Sequence, residues 1–370
     1  MTRHVVLLLG PSREAISGVT THLNSLFGSR LATRFDLLHF QVGSEGRREG
    51  LAGRLARFVL SPLQLGAAIV RHGVGLVHIN TSLNAKSYWR DIAYVIAAKI
   101  CGARVLYQVH GGAWDEFEGK GGFFAPLMRR MLRWPDVIVV LSKEQLAAFG
   151  RAAPEQAIEI VPNGIDCLPY VRYNRAAVEE GAPLRLIYIG RLVGGKGLLE
   201  TIEGLRSARS QGVNARLVIA GNGPEEPRLR QYTRDAGLTK EVSFVGAAYG
   251  DHKAQLLAQA DALALASYTE GLPYSLLEAM AAGVVPIVTP VGAIPDVVTE
   301  GEHGLLVAPR DAGAIAQAIT KLAADRALLV RMSAACRKHA ATAYSIERVA
   351  RDFSQIYWGL CAARAPKAAT

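Results

Sequence analysis

The feature that most constrains this fold is an alternation of short apolar runs with longer helix-patterned segments, which occurs twice along the chain. Strand-length runs separated by helices predict parallel sheets covered by helices. In the first half, Val5–Leu9, Phe35–Phe40, Leu76–Ile79, Arg104–Val109, Val137–Leu141 and Ile158–Val161 read as strands. The helical segments between them include Gly18–Phe27, Arg54–Arg71, Lys86–Cys101 and Lys143–Phe149. A turn-rich break, Pro162-Asn163-Gly164-Ile165-Asp166, and a polar linker from Arg172 to Pro183 follow. The pattern then restarts with strands at Leu184–Ile189, Ala215–Ala220, Val242–Val245, Ala262–Ala266 and Val285–Val288. Helices are expected over Gly197–Gln211, Glu225–Ala236, His252–Ala260 and Tyr274–Ala282, and nearly continuously beyond Pro309. The expectation is an α/β protein of two domains, 1–165 and 166–340, with a cleft between them. A helical segment, 341–370, would pack back on the first domain. A chain of 370 residues is long enough to bury two cores.

Half the residues are hydrophobic and a fifth charged, which is globular composition. No run approaches the roughly 18 to 20 apolar residues that span a bilayer; Ile92 to Ile100 comes nearest and is interrupted by Lys99. Val5 to Leu9 is too short for a signal peptide and has no small-residue cleavage site after it. Cys101, Cys167, Cys336 and Cys361 are scattered without paired spacing, so neither a disulfide framework nor a zinc site is implied. A cytoplasmic protein, soluble or peripheral on the inner membrane face, is expected.

The net charge of +10 is uneven: residues 1–165 hold 19 Lys/Arg against 12 Asp/Glu. Two basic clusters have apolar neighbours. One is Arg47, Arg48, Arg54 and Arg57 around Leu51, Leu55 and Phe58; the other is Met128-Arg129-Arg130-Met131-Leu132-Arg133-Trp134. They read either as attachment points for an anionic membrane surface or as ordinary solvated helix faces. No nucleic-acid motif accompanies the charge.

Ligands of open α/β sheets sit outside the carboxyl ends of strands, so the informative residues should follow strands. Gly190-Arg191-Leu192-Val193-Gly194-Gly195-Lys196-Gly197 follows the first strand of the second half and opens a helix. Arg191 and Lys196 across a Gly-rich turn suit a diphosphate, or are two solvated loop charges. Ser267-Tyr268-Thr269-Glu270-Gly271-Leu272-Pro273 follows Ala262–Ala266 and leads into a helix whose first turn suits Pro273 and which Gly283 ends. That helix N-terminus favours an anion. Glu278 lies inside the helix amid Leu277, Ala279 and Met280. A carboxylate buried there needs partners, which ribose hydroxyls would supply. Glu270 at the loop tip could hold sugar hydroxyls; alternatively it caps the helix and Glu278 faces solvent.

With these motifs in place the sequence resembles the family 4 retaining glycosyltransferases, the "group 1" type, of the GT-B fold, built from two Rossmann-like domains with parallel sheets facing across a cleft. The resemblance runs through Val161-Pro162-Asn163-Gly164-Ile165-Asp166, Gly190-Arg191-Leu192 with Lys196-Gly197, and Gly221-Asn222-Gly223-Pro224-Glu225. It continues through Phe244-Val245-Gly246, Glu270 to Pro286, Gly292-Ala293-Ile294-Pro295-Asp296 and Gly304-Leu305-Leu306-Val307. The two glutamates eight apart are the family's signature. The resemblance implies that Arg191 and Lys196 neutralise the departing diphosphate, Glu278 binds the ribose and Glu270 the transferred sugar. Gly190, Asn222, Gly223, Gly271 and Leu272 would line the donor site.

In the first half, His110, before Gly111-Gly112, resembles the family's cleft histidine. Gly18 would lie near the phosphates, although Ile16-Ser17-Gly18-Val19 lacks the family's frequent paired glycines. His78, Asn80 and Ser82 after the third strand are placed to meet an acceptor.

The activity implied is transfer of a sugar, with retention, from a nucleoside diphosphate sugar to a glycan or lipid-linked acceptor in cell-surface polysaccharide biosynthesis. A UDP-sugar is expected ahead of a GDP-sugar, with no other cofactor. No Asp-x-Asp occurs, so nothing suggests a metal-bridged diphosphate. The alternatives are a non-catalytic sugar-nucleotide-binding subunit, a sugar-nucleotide epimerase of the same fold, and a dehydrogenase. The last is disfavoured because Gly10-Pro11-Ser12-Arg13 carries no dinucleotide fingerprint.

Overall fold

The computed structural model describes residues 3–43, 50–112, 114–119, 121–173 and 181–362. The chain divides into two compact units at Gly164/Ile165 and Ser345/Ile346, the C-terminal helix belonging with the first unit.

The first unit begins β1 (Val5–Gly10), α1 (Gly18–Gly28), α2 (Leu31–Arg34), β2 (Asp36–Gln41), α3 (Leu51–His72) and β3 (Leu76–Thr81). It continues with α4 (Ala85–Ile100), β4 (Arg104–Val109), α5 (Trp114–Gly119), α6 (Ala125–Met131), β5 (Val137–Val140), α7 (Lys143–Ala152) and β6 (Ile158–Ile160). Its six strands lie in the order β2-β1-β3-β4-β5-β6 and every pair is parallel. Side-chain caps start three of the helices: Ser17 accepts from Thr20 N, Asn84 from Ser87 N and Ser142 from Gln145 N.

The second unit comprises α8 (Leu168–Val171), β7 (Leu184–Ile189), α9 (Leu198–Ser210), β8 (Ala215–Ala220), α10 (Glu226–Asp235), β9 (Val242–Gly246), α11 (Gly250–Ala258) and β10 (Ala262–Leu265). Then come α12 (Tyr274–Ala282), β11 (Val285–Val288), α13 (Ile294–Val297), β12 (Leu305–Leu306), α14 (Ala312–Ala324) and α15 (Arg326–Ala343). This sheet is also parallel, ordered β12-β11-β10-β7-β8-β9. The two six-stranded parallel sheets with helices are the α/β class expected.

Both orders contain a reversal. In the first unit the chain leaves β1 for β2 on one side and β3 on the other; in the second, β7 leads to β8 and β9, then to β10 on its opposite side. Between the two strands of such a reversal the following loops diverge and leave a crevice, where open α/β sheets bind ligands.

Four differences from the sequence reading have local causes. The second strand is displaced by one residue because Phe35 is a core residue, 0% exposed, whose amide closes α2 on Leu31 O. The two-residue β12 was too short to show a period. The last stretch is three helices rather than one, since Asp325 caps α15 and α16 (Ile346–Ala362) starts after Tyr344. Pro273 is the N-cap residue of α12 rather than part of its first turn.

Helix α16 fills the first unit's core. Phe353 and Tyr357, each 0% exposed, pack with Val6, Leu8, Leu76, Leu106 and Val139 on one face of the sheet. The helix supplies apolar area that removes several strands from water. No helix among the described residues is long and apolar enough to cross a membrane.

Candidate functional site

In the second unit the reversal lies between β7 and β10, and the two loops that follow those strands carry the residues singled out above. Tyr268 N donates to Gly195 O at 2.8 Å, tying one loop to the other. Gly197, at φ +66°, starts α9; a Cβ there would lie 2.0 Å from Ala266 O, so both the conformation and the space demand glycine. Gly292, at φ +59°, meets the same condition against Glu270 O at 2.1 Å, and Ala293 N donates to Gly271 O. Leu272 is buried beneath this contact. The loop bearing Glu270 is therefore held from both sides.

The loop after β7 also rests on the loop after β8. Gly190 N donates to Ala220 O, Leu192 N to Asn222 O and Glu225 N to Leu192 O. Gly223 passes directly beneath Leu192, while Asn222 is exposed.

These constraints bring Lys196 and Glu270 together from positions 74 residues apart, Nζ to Oε1 at 2.6 Å. Their side chains are 22% and 11% exposed, where a charge pair is screened less than at an open surface. Arg191 is exposed, its own carbonyl accepting from the Tyr188 hydroxyl at 2.9 Å. Burial, with the Glu270 carboxylate nearby, pushes the Tyr188 phenol well up, so it stays a neutral donor.

Glu278 is 4% exposed, on α12. Its partners come from the protein: Lys253 Nζ of α11 lies 2.6 Å from Oε1, and the Tyr170 hydroxyl of α8 hydrogen-bonds the carboxyl group. Burial and then the Glu278 charge raise the Tyr170 phenol far above its ordinary range. The reading of Glu278 as a solvated face residue is thus overturned, and Lys253 and Tyr170 are site neighbours that sequence reasoning missed. Neither stands in a recognisable motif; Lys253 looks like any charge in an amphipathic helix. The α12 N-terminus has no side-chain cap. A further pair was also missed: Tyr268 donates to Glu200, and the Arg310 guanidinium lies 4.5 Å over the Tyr268 ring.

In the first unit, His110 follows β4 and its Nε2 lies 2.8 Å from Asn80 Oδ1. Asn80 Nδ2 donates to Leu9 O, which fixes the amide orientation, so the histidine Nε2 carries the hydrogen and donates. Asn163 is a second hydrogen-bond neighbour of the ring. Burial pushes His110 down to about 4, leaving the imidazole neutral. Gly18 is the exposed first residue of α1. Ser82 is exposed just past β3.

His78, expected beside Asn80 and Ser82 to meet an acceptor, lies instead in the core. It is 0% exposed, with Nδ1 2.6 Å from the Tyr357 hydroxyl and Nε2 2.9 Å from Gln108 Oε1. All six residues of β3 are buried, so of the three only Ser82, beyond its end, is exposed.

Of the basic clusters, Arg47 and Arg48 lie outside the described residues, as does the Arg54 side chain. Arg129 is engaged by Glu118, and Arg133 lies 3.8 Å from Glu155. Among the described residues no group of three His, Cys, Asp or Glu is arranged to hold a metal ion.

The profile of the glycosyl transferases group 1 family matches residues 173–339, and that of a glycosyl transferase 4-like domain matches residues 34–164. The chain is 31% identical over 286 residues to the GDP-mannose-dependent alpha-(1-6)-phosphatidylinositol monomannoside mannosyltransferase of Mycobacterium tuberculosis, spanning 72% of this chain and 73% of that protein. Sucrose-phosphate synthase from Thermosynechococcus elongatus superposes with a TM-score of 0.77 over 98% of this chain and 100% of that one, at 20% identity. HepE of Anabaena, in complex with UDP-glucose, superposes with a TM-score of 0.76 over 96% and 99%, at 17% identity. The fold is that of the GT-B glycosyltransferases. The chain belongs to the group 1 glycosyl transferases.

Proposed function

We propose that this protein transfers a sugar, with retention and without a metal, from a nucleoside diphosphate sugar to a glycan or lipid-linked acceptor of cell-surface polysaccharide or glycolipid synthesis. The observation that carries the reading is the Lys196–Glu270 pair at the β7/β10 crevice. A diphosphate gains negative charge as the anomeric bond breaks, and fixed cations lower that barrier. Lys196 supplies a point charge and Arg191 a bidentate donor for its oxygens. Glu270 accepts hydroxyls of the transferred sugar, and Glu278 accepts those of the ribose. Lys253 and Tyr170 act on Glu278 as positioning residues, holding its carboxyl group in place. Neutral His110, its Nε2 hydrogen held by Asn80, adds no charge.

A UDP-sugar is expected ahead of a GDP-sugar, whereas the mycobacterial relative is named for GDP-mannose, so both donors enter the test. Thermal denaturation is followed with UDP, GDP, ADP, NAD and NADP. One nucleoside diphosphate should raise the transition by several degrees, as ligand binding shifts stability by mass action. The shift should shrink in Lys196→Ala and Glu278→Ala. A response to NAD or NADP alone would refute the reading.

The first unit also supports attachment to an anionic membrane surface. Helix α3 buries Ser61, Leu65 and Ile69 on one side, yet its opposite side exposes Val59, Leu60, Leu63 and Val70, with Leu63 69% and Val70 73% accessible. Arg57 and Arg71 lie on the same helix. A helix apolar on both sides needs a second apolar contact, and arginines around such a stripe match an anionic headgroup layer. Flotation with vesicles containing phosphatidylglycerol should recover wild type at low salt and little of a Leu63→Gln/Val70→Gln variant. Equal recovery of both would remove the attachment from this helix.

A further inference from the structure

The first unit contains a cavity of about 300 Å³ at its own sheet reversal, where the loops after β1 and β3 part. Pro11 lines it from the β1 loop, and Asn80 and Ser82 from the end of β3. Three cationic side chains enter from two helices: Arg57 from α3, Lys86 and Arg90 from α4. No carboxylate lines it among the described residues.

The cations are held in different ways. The Arg57 guanidinium donates to Gly43 O, which fixes its direction. Arg90 is balanced by Asp91, at 2.7 Å and 0% exposed behind it. Lys86 is exposed and takes part in no ion pair among the described residues. Its charge therefore faces the cavity without a carboxylate counter-charge there among the described residues.

Two further contacts give the cavity a direction. Asn80 lines it and also accepts from His110 Nε2, so its inner end adjoins the histidine assigned above to the reaction. Phe58 lines it and is 52% exposed; the next residue, Val59, begins the exposed apolar stripe of α3. The cavity thus runs from a candidate reacting group, past a cluster of cations, to an apolar helix face.

We propose that this cavity binds the phosphate ester of the acceptor, with Lys86 and Arg57 on the phosphate oxygens and Ser82 and Asn80 toward the sugar to be extended. A phosphate offers several strong acceptor oxygens to converging cations, and charge-assisted contacts to it are the stronger kind. The proposal rests on the reading that the first unit takes the acceptor, and it adds the chemical class of that acceptor. Phosphate of this kind can belong to a lipid carrier or to a soluble sugar phosphate; Phe58 and α3 favour the lipid.

The test is calorimetric titration of the full chain with decyl phosphate and with glucose 1-phosphate, compared with decyl maltoside. Saturable binding of a phosphate ester is expected, weakened about tenfold or more in Lys86→Gln, the scale of one contact between charged groups. It should be unchanged in Lys196→Ala, which removes one of the two donor-side cations and none of the cavity's. Tighter binding of decyl phosphate than of glucose 1-phosphate assigns the lipid source; equal binding assigns the soluble one. No saturable binding of either ester, or full affinity in Lys86→Gln, overturns the proposal. Nucleotide-induced thermal shifts, measured on the same Lys86→Gln protein, report the donor site separately, so failure here leaves that reading standing and failure there leaves this one.

Discussion

Lys196→Ala is expected to lower kcat by at least about a hundredfold, and Glu270→Ala by a similar factor. A hundredfold corresponds to about 2.7 kcal/mol, the scale on which removal of one preorganised group facing developing charge is felt. The lysine lies 2.6 Å from the glutamate. Each alanine variant therefore removes one function and leaves the other residue's charge in a largely enclosed place. Because the two share one contact, their effects should not add: the double variant should lose little more than the worse single one. Lys196→Ala should also weaken binding of the nucleoside diphosphate, since that charge is present before reaction as well. Glu270→Ala should affect turnover more than nucleotide affinity. Rates in both variants within a few fold of wild type would show that this crevice is not where the diphosphate departs.

The second large effect is on stability. The first unit should lose several kcal/mol as pH falls from about 7 to about 5. Three histidines from α1, β3 and the end of β4 meet in its interior: the His22 ring lies 4.6 Å from that of His110 and 6.4 Å from that of His78. Burial holds His22 well below its ordinary value, and the neighbouring His110 and His78 charges would add to that. Burial brings His78 down to about 3 and His110 to about 4. In the unfolded chain each would take a proton near pH 6.5. Below that pH the unfolded state binds protons that the folded state refuses, so stability is full above about 6.5 and falls steadily as pH drops toward the folded values. The slope is about 1.4 kcal/mol per pH unit for each histidine so held.

All four tryptophans, Trp89, Trp114, Trp134 and Trp358, belong to the first unit. Tryptophan fluorescence during urea unfolding at pH 7.5, 6.5 and 5.5 therefore follows that unit alone. The midpoint should decline below pH 6.5, and His22→Gln should decline less steeply. A midpoint independent of pH over this range would mean that the three imidazoles accept protons without cost.

Much of the fold could be read from the chain. Runs such as Leu184–Ile189 and Ala215–Ala220 are strands of the lengths expected, because strands largely buried on both faces are apolar nearly throughout, here interrupted only by Arg185 and Arg216 near their starts. The crevice loops were legible too. Gly197 and Gly283 sit at positive φ where a helix begins and where one ends, a requirement that acts through a residue's own backbone. Short elements such as α8, α13 and β12 carried too few residues to show a period.

What the sequence by itself determined is therefore what adjacent residues settle: strands, long helices, the glycine turns, and the ordered motifs that mark a group 1 glycosyl transferase. Only the tertiary structure decided which side chains meet. Glu278 could be read either as a buried carboxylate in need of partners or as a solvent-facing residue; its burial and its partners Lys253 and Tyr170, brought to it by α11 and α8 from helices with no signal of that role, appear only in the tertiary structure. His78 looked like a residue at a strand's end, and its partner Tyr357 lies 279 residues further on. The cations at Arg57, Lys86 and Arg90 are unremarkable on their own helices and become a site only where the loops after β1 and β3 diverge. Backbone preference acts over a few residues and leaves a periodic trace, whereas burial and charge pairing depend on separation in space, which topology alone sets.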